Sequence, residues 1–166
     1  MVSCMEQIEF RLPDGRTLHV YDSAPGDDAR LTVVWHHGTP NLGRPPEPLF
    51  EAGEWLGIRW IGFDRPGYGG STSAPGRTMA SVAADLTTVL DAFGIGTVAL
   101  MGYSGGGSYA LGSAAVLGRR VEAVATFAAI APYDAVGLDW YDGMVPSGLA
   151  SLHAAAAGRE TKVRHE

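Results

Sequence analysis

A single cysteine, Cys4, stands in 166 residues, so the chain can form no disulfide framework of its own, and Cys4 reads as a reduced bystander near the terminus. No run approaches the roughly 20 apolar residues of a membrane span. The opening Met-Val-Ser-Cys-Met-Glu-Gln has neither the basic nor the hydrophobic segment of a signal peptide, which makes a cytoplasmic protein without a membrane partner the expectation. Basic residues are outnumbered, 12 Lys and Arg against 18 Asp and Glu, and a formal charge of −6 argues against nucleic-acid binding through a basic face. Internal repeats, a domain linker, metal-ligand spacing and a dinucleotide fingerprint are also missing, so no metal and no organic cofactor is expected.

What is present is a composition fit for a packed core. Hydrophobic residues make up 46% and charged residues 18%, as in a compact globular domain rather than a disordered chain. The 23 glycines and 10 prolines gather at turns instead of forming a tract, which implies many tight corners.

The order of elements follows from periodicity. Residues 7–11 and 17–21 are strand-like, and Pro13-Asp14-Gly15 between them predicts a hairpin. Residues 31–35 and 58–63 are apolar runs without polar alternation, as expected of strands buried on both faces. From Met79 the spacing becomes helical through Val82, Leu86, Val89, Leu90 and Phe93, with Thr78 as N-cap and Gly94 as stop. A strand over 97–101, a small-residue helix over 108–117 and a strand over 121–129 follow, and 149–158 is an alanine-rich helix candidate. The fold class is α/β: a mostly parallel sheet of about six strands with flanking helices behind an antiparallel opening hairpin. The charged stretch 162–166 shows no capping signal.

The chemistry concentrates at Gly102-Tyr103-Ser104-Gly105-Gly106, a G-x-S-x-G between a predicted strand and a predicted helix. A serine at such a corner is forced into a strained backbone conformation, and glycines two residues to either side remove the side chains that would collide. Ser104 is the candidate nucleophile, and the N–H of Gly105 becomes available to an oxyanion. A second donor is expected from the loop His37-Gly38-Thr39-Pro40 after the third strand: Thr39 first, Gly38 as the fallback. His36 and His37 are expected to pack and hydrogen-bond within that loop. A phosphate-binding reading of Gly105-Gly106-Gly107 is disfavoured, since no Lys-Ser/Thr follows.

A strand ending in His-Gly-Thr-Pro, a strand ending in Asp64-Arg65-Pro66-Gly67-Tyr68-Gly69-Gly70-Ser71 and the serine elbow together resemble the α/β-hydrolase superfamily, from about Gln7 to Asp142. The resemblance implies residues 1–135 as the amino-terminal part of the hydrolase core, incomplete at its carboxy-terminal side, and 136–166 as the start of a helical cap. It implies a loop-shaping role for Asp64 and Ser71, and acyl transfer on a small-molecule ester, thioester or amide. In that family the acid and the histidine follow the serine in chain order. The strands expected to carry them have no counterpart in residues 130–166, so a second polypeptide that completes the fold is the expected partner.

If the chain supplied its own triad, Asp134 and His153 would be the candidates, but His153 in the alanine-rich helix reads more simply as a surface or packing residue. His165, Asp139 and Asp142 are weaker still. Trp35, Tyr103, Trp140, Tyr141 and Met144 are candidates for an apolar acyl pocket, with core packing preferred for Trp35. The rival readings are a non-catalytic binding module on the same scaffold and an inactive fragment.

Overall fold

The computed structural model describes residues 5–26 and 31–166, so Cys4 lies outside the described residues. By its internal contacts the chain divides into two compact units, Met1–Ile130 and Ala131–Glu166.

The first unit is built on a six-stranded sheet: β1 (Glu6–Arg11), β2 (Thr17–Asp22), β3 (Leu31–His36), β4 (Ile58–Phe63), β5 (Val98–Tyr103) and β6 (Val121–Phe127). Their order across the sheet is β1-β2-β4-β3-β5-β6. β1 and β2 form the predicted hairpin, closed at the pair Arg11 and Thr17. The turn is held by Gly15 N donating to Leu12 O at 3.0 Å and Arg16 N donating to Asp14 Oδ1 at 3.0 Å. β2 joins β4 antiparallel, while β3, β4, β5 and β6 are mutually parallel.

The absence of alternation in β3 and β4 has the expected cause. Val34 and Ile61 point into one apolar cluster and Val33 and Trp60 into another, so both sheet faces are core. The first cluster lies under α2 (Met79–Ala92) and α3 (Gly105–Leu117), which pack on each other and contribute Val82, Leu86, Val89, Leu90, Ala110 and Leu117. The second receives Phe50 from α1 (Phe50–Leu56).

Helix α2 begins at Thr78 as read from the sequence. Thr78 Oγ1 accepts from Ser81 N, and Ser81 Oγ accepts from Thr78 N at 2.9 Å, a reciprocal cap. It stops at Gly94 with φ +68, where the amides of Gly94 and Ile95 turn back to Asp91 O and Leu90 O. Two ion pairs brace this unit: Arg16 holds Asp85 of α2 through both guanidinium ends at 2.8 and 2.7 Å, and buried Arg59 holds buried Asp22 across β4 and β2.

Three details depart from the sequence reading. α1 was not foreseen; it is seven residues long, and its buried residue is Gly53. α3 starts at Gly105 rather than at residue 108. The charged end of the chain is helical, α5 (Arg159–His165), preceded by α4 (Pro146–Ala156), which begins earlier than the expected 149.

β6 ends the sheet order, and every one of its residues after Val121 is exposed. It is an edge strand with the apolar Val124 and Phe127 in the open.

The second unit holds α4 and α5, joined through Lys162 Nζ donating to Ser151 Oγ at 2.7 Å. Ahead of them Tyr133, Trp140 and Tyr141 meet edge to face, with ring centroids 5.3 to 5.9 Å apart. No helix among the described residues is long and apolar enough to cross a membrane.

Candidate functional site

The site begins where β5 meets α3. Ser104 sits between them with φ 54 and ψ −128, a conformation that costs a residue with a side chain on the order of 1–3 kcal/mol. Neighbouring backbone holds it there: Ser104 N donates to Phe127 O at 2.9 Å, and Ser104 O accepts from Gly107 N at 2.9 Å. The corner is sharp because its glycines leave no room for anything larger. A Cβ on Gly102 would lie 2.7 Å from Gly106 C and 2.8 Å from Gly107 Cα, and one on Gly106 would run into the carbonyl oxygens of His36 and His37. The close approach thus seats the first turn of α3 against the end of β3. Gly105, as the first residue of α3, has no intrahelical acceptor for its N–H.

The loop after β3 abuts this corner. A Cβ on Gly38 would lie 3.3 Å from Ser104 Cβ, and one on Gly105 would lie 4.0 Å from Thr39 Oγ1. Ser104, Gly105, Gly38 and Thr39, assigned to one site from sequence, therefore lie side by side. Thr39 is exposed and shares a 3.0 Å hydrogen bond between its Oγ1 and Tyr68 OH.

His36, the last residue of β3, and His37, the first of the loop, are both buried. His36 packs edge-on against Phe63, and its two ring nitrogens have no partner among the described residues. Burial, then the charge of Arg65 and the neighbouring His37, push its pKa down to about 3. His37 is fully bonded. Its Nδ1 lies 2.7 Å from Gly38 O, and its Nε2 accepts from Arg65 N at 3.2 Å. A carbonyl can only accept, so the ring is neutral with its proton on Nδ1. Burial, and next the Arg65 charge, hold its pKa down at about 4 against backbone hydrogen bonds to Gly38 and Asn41. Both rings are thus packed inside as expected, but only His37 hydrogen-bonds; the hydrogen bonding expected of His36 is not made among the described residues, because its ring is enclosed against Phe63 with no polar group in reach.

The Asp64–Ser71 segment shapes the surroundings. Asp64 Oδ1 accepts from Gly43 N at 2.7 Å, Asp64 Oδ2 accepts from Gly70 N at 3.0 Å, and Ser71 Oγ donates to Asp64 O at 2.6 Å. These are the turn bonds expected of Asp64 and Ser71.

Arg65 was not anticipated. It is 1% exposed, its guanidinium lies over the rings of Tyr68 (5.1 Å) and Tyr109 (4.8 Å), and its Nη1 donates to His37 O. Burial draws its pKa below the ordinary value, against the pull of Tyr68 and Tyr109. Burial raises the pKa of the Tyr68 phenol. Hydrogen bonds with Thr39 and Arg65 and the charges of Arg65 and Arg77 outweigh that, leaving it below its usual value. Ile130 was missed as well: its side chain flanks Gly105, and its carbonyl accepts from Ser108 Oγ at 2.9 Å. Only the run Asp-Arg-Pro-Gly-Tyr hinted at the first of these, and nothing local hinted at the second.

Asp134 and His153 belong to the second unit, and both are exposed. There His153 stacks on Tyr141, with centroids 4.3 Å apart and planes 29° from parallel. Asp139 Oδ1 accepts from Tyr141 N at 3.1 Å, a local turn bond. Tyr103 is 44% exposed beside Ser104, and Trp35 is buried.

A family model described as alpha/beta hydrolase fold matches residues 32–151. Among solved structures, an epoxide hydrolase from metagenomes of hot environments is 28% identical with a TM-score of 0.63, covering 80% of this chain and 44% of that one. A thermophilic esterase from Thermogutta terrifontis is 26% identical with a TM-score of 0.60, covering 93% of this chain and 53% of that one. Epoxide hydrolase A from Mycobacterium thermoresistibile is 28% identical with a TM-score of 0.61, covering 74% and 38%. The chain therefore spans about half the length of these structures or less. No curated protein sequence matches it.

Proposed function

Because the chain belongs to the alpha/beta hydrolase fold family, we propose that it is a serine hydrolase acting on a carboxylic ester, thioester or amide through an acyl-Ser104 intermediate. The observation that carries this reading is the strained backbone of Ser104 between β5 and α3, φ 54 and ψ −128. A binding module has no use for a serine held at that cost; a nucleophile that must project from a sheet does.

In the proposed reaction a histidine takes the Ser104 Oγ proton as Oγ bonds to the substrate carbonyl carbon. The carbonyl π pair moves to oxygen, and the N–H groups of Gly105 and Thr39, or Gly38, receive the oxyanion. Collapse expels the alcohol, thiol or amine, which takes the proton from the histidine. Water then repeats the sequence on the acyl-serine.

Two of the three similar structures named above carry the name epoxide hydrolase. A serine that opened an epoxide would be left as an alkyl ether, which water does not readily cleave, whereas an acyl-serine is an ester and turns over. The nucleophile type favours carbonyl substrates.

The acid and the histidine are proposed to come from a second polypeptide that pairs with β6, whose exposed length supports this reading. The internal alternative, Asp134 with His153, would dispense with it. A cytoplasmic location is part of the same proposal.

Intact denaturing mass spectrometry before and after a fluorophosphonate tests all of this. The expected result is a label on the 166-residue chain, lost in Ser104→Ala, in material that contains a second polypeptide. A label on the chain alone would replace the second polypeptide by the internal pair. No label in material holding both polypeptides would overturn the serine-hydrolase reading.

A further inference from the structure

Two peptide groups link His37 to Gly38 and Gly38 to Thr39, and each carries one of the candidate oxyanion donors on its nitrogen. The carbonyl oxygen of each is occupied by a strong donor. His37 O, on the peptide whose N–H is that of Gly38, accepts from Nη1 of the buried Arg65 cation. Gly38 O, on the peptide whose N–H is that of Thr39, accepts from His37 Nδ1 at 2.7 Å. The two donors are themselves tied together, because Arg65 N donates to His37 Nε2 and thereby keeps the ring proton on Nδ1.

We propose that Arg65 and His37 are positioning residues that polarise the two peptides of the oxyanion loop, making the N–H groups of Gly38 and Thr39 stronger donors than ordinary amides. The inference rests on the reading of Ser104 as an acyl-transfer nucleophile and assigns that site two residues outside it. A hydrogen bond to a carbonyl draws electron density through the amide and strengthens the bond its N–H makes on the far side, by roughly 10–30% in condensed-phase estimates. A charged donor does so more than a neutral one.

The surroundings suit this purpose. The guanidinium of Arg65 forms no ion pair with a carboxylate among the described residues. It is held between the rings of Tyr68 and Tyr109, whose faces accommodate a cation without cancelling its charge. Tyr109 belongs to α3, the helix that starts beside Ser104, and Tyr68 OH meets Thr39 Oγ1. The clamp therefore fixes the loop against the helix as well as polarising it. A carboxylate in place of the rings would neutralise the field at the point where an oxyanion develops.

The first arm of the test is on the unsubstituted 166-residue chain. Ring ¹⁵N NMR of His37 at neutral pH is expected to show a protonated Nδ1 and an unprotonated Nε2; the opposite tautomer overturns the proposal. The second arm uses substitutions assayed with whichever polypeptide completes the activity. Arg65→Met is expected to lower kcat about ten-fold with KM within two-fold, a fraction of the 10²–10³ that loss of a whole oxyanion donor costs, and Arg65→Lys to recover part of it. His37→Leu is expected to behave like Arg65→Met, and His37→Asn, whose amide can still donate to Gly38 O, to recover part. Unchanged kcat in folded Arg65→Met and His37→Leu overturns the proposal while leaving the serine mechanism standing. An unlabelled wild-type Ser104 overturns the mechanism instead, and the tautomer still decides the hydrogen-bond pattern. If the substituted chains fail to fold, the downfield amide proton shifts expected for Gly38 and Thr39 in the wild type decide the matter; ordinary values overturn it.

Discussion

Gly106 faces the carbonyl oxygen of His36 with no space for a methyl group between them. One residue from the first turn of α3 and one from the end of β3 thus share a single van der Waals gap, and the position of Ser104 depends on it. Gly106→Ala is expected to push α3 away from β3 and to cost about 1–3 kcal/mol in urea unfolding, the usual range for overpacking. It is also expected to abolish fluorophosphonate labelling. Wild-type stability with wild-type labelling would show that the gap is dispensable.

Ser104 stands on the other side of that balance. Its φ of 54 is comfortable for glycine and strained for serine. Ser104→Gly is expected to lose all labelling yet unfold no more easily than wild type, gaining up to about 1 kcal/mol once the glycine entropy cost is set against the relieved strain. A loss of stability in this variant would mean that the serine side chain contributes packing which outweighs its strain.

Acid should act through His36 and His37. Their folded pKa values, about 3 for His36 and about 4 for His37, lie below the ordinary 6.5. Between those limits the unfolded chain takes up protons that the folded chain refuses, so stability rises with pH there. The contribution is whole above about 6.5 and falls by about 1.4 kcal/mol per pH unit for each ring as pH drops. The loss from His37 ends near 4 and that from His36 near 3. His36→Leu is expected to halve the slope of stability against pH between 4.5 and 6. An unchanged slope would assign acid sensitivity to other groups.

The pair Asp22 and Arg59 is buried on both sides, with side chains 1% and 7% exposed. Removing one partner strands the other charge in the sheet, so Arg59→Met is expected to cost about 3–5 kcal/mol. The double variant Asp22→Leu, Arg59→Met is expected to recover most of that loss in chemical unfolding. If the double variant is as weak as the single one, the pair contributes geometry that apolar packing cannot replace.

Much of this was legible locally. β3 and β4 announce themselves because a strand with core on both faces needs no polar residues, and α2 because its apolar stripe and the Thr78 cap agree. The corner at Ser104 is readable because glycines are required at fixed offsets. α1 was hidden: it is only seven residues long, it turns Trp55 84% exposed to solvent, and what it buries is Gly53, so it carries no apolar stripe. The first turn of α3 was hidden behind three glycines that look like a loop; two of them, Gly106 and Gly107, are glycines because β3 and Ala129 stand too close for side chains. Arg65 was hidden for a different reason. An arginine in a turn motif looks solvated, and only the arrival of Tyr109 from α3 closes it off.

The amide of Ser104 ends on Phe127 O, the last residue of β6. That strand pairs with β5 on one side only, so the amide of Ser104 is anchored to an edge strand of the sheet. A chain laid alongside β6 would stiffen the strand and, through one hydrogen bond, the serine. Were that chain the second polypeptide proposed above, completing the sheet and fixing the geometry of the proposed nucleophile would be one event.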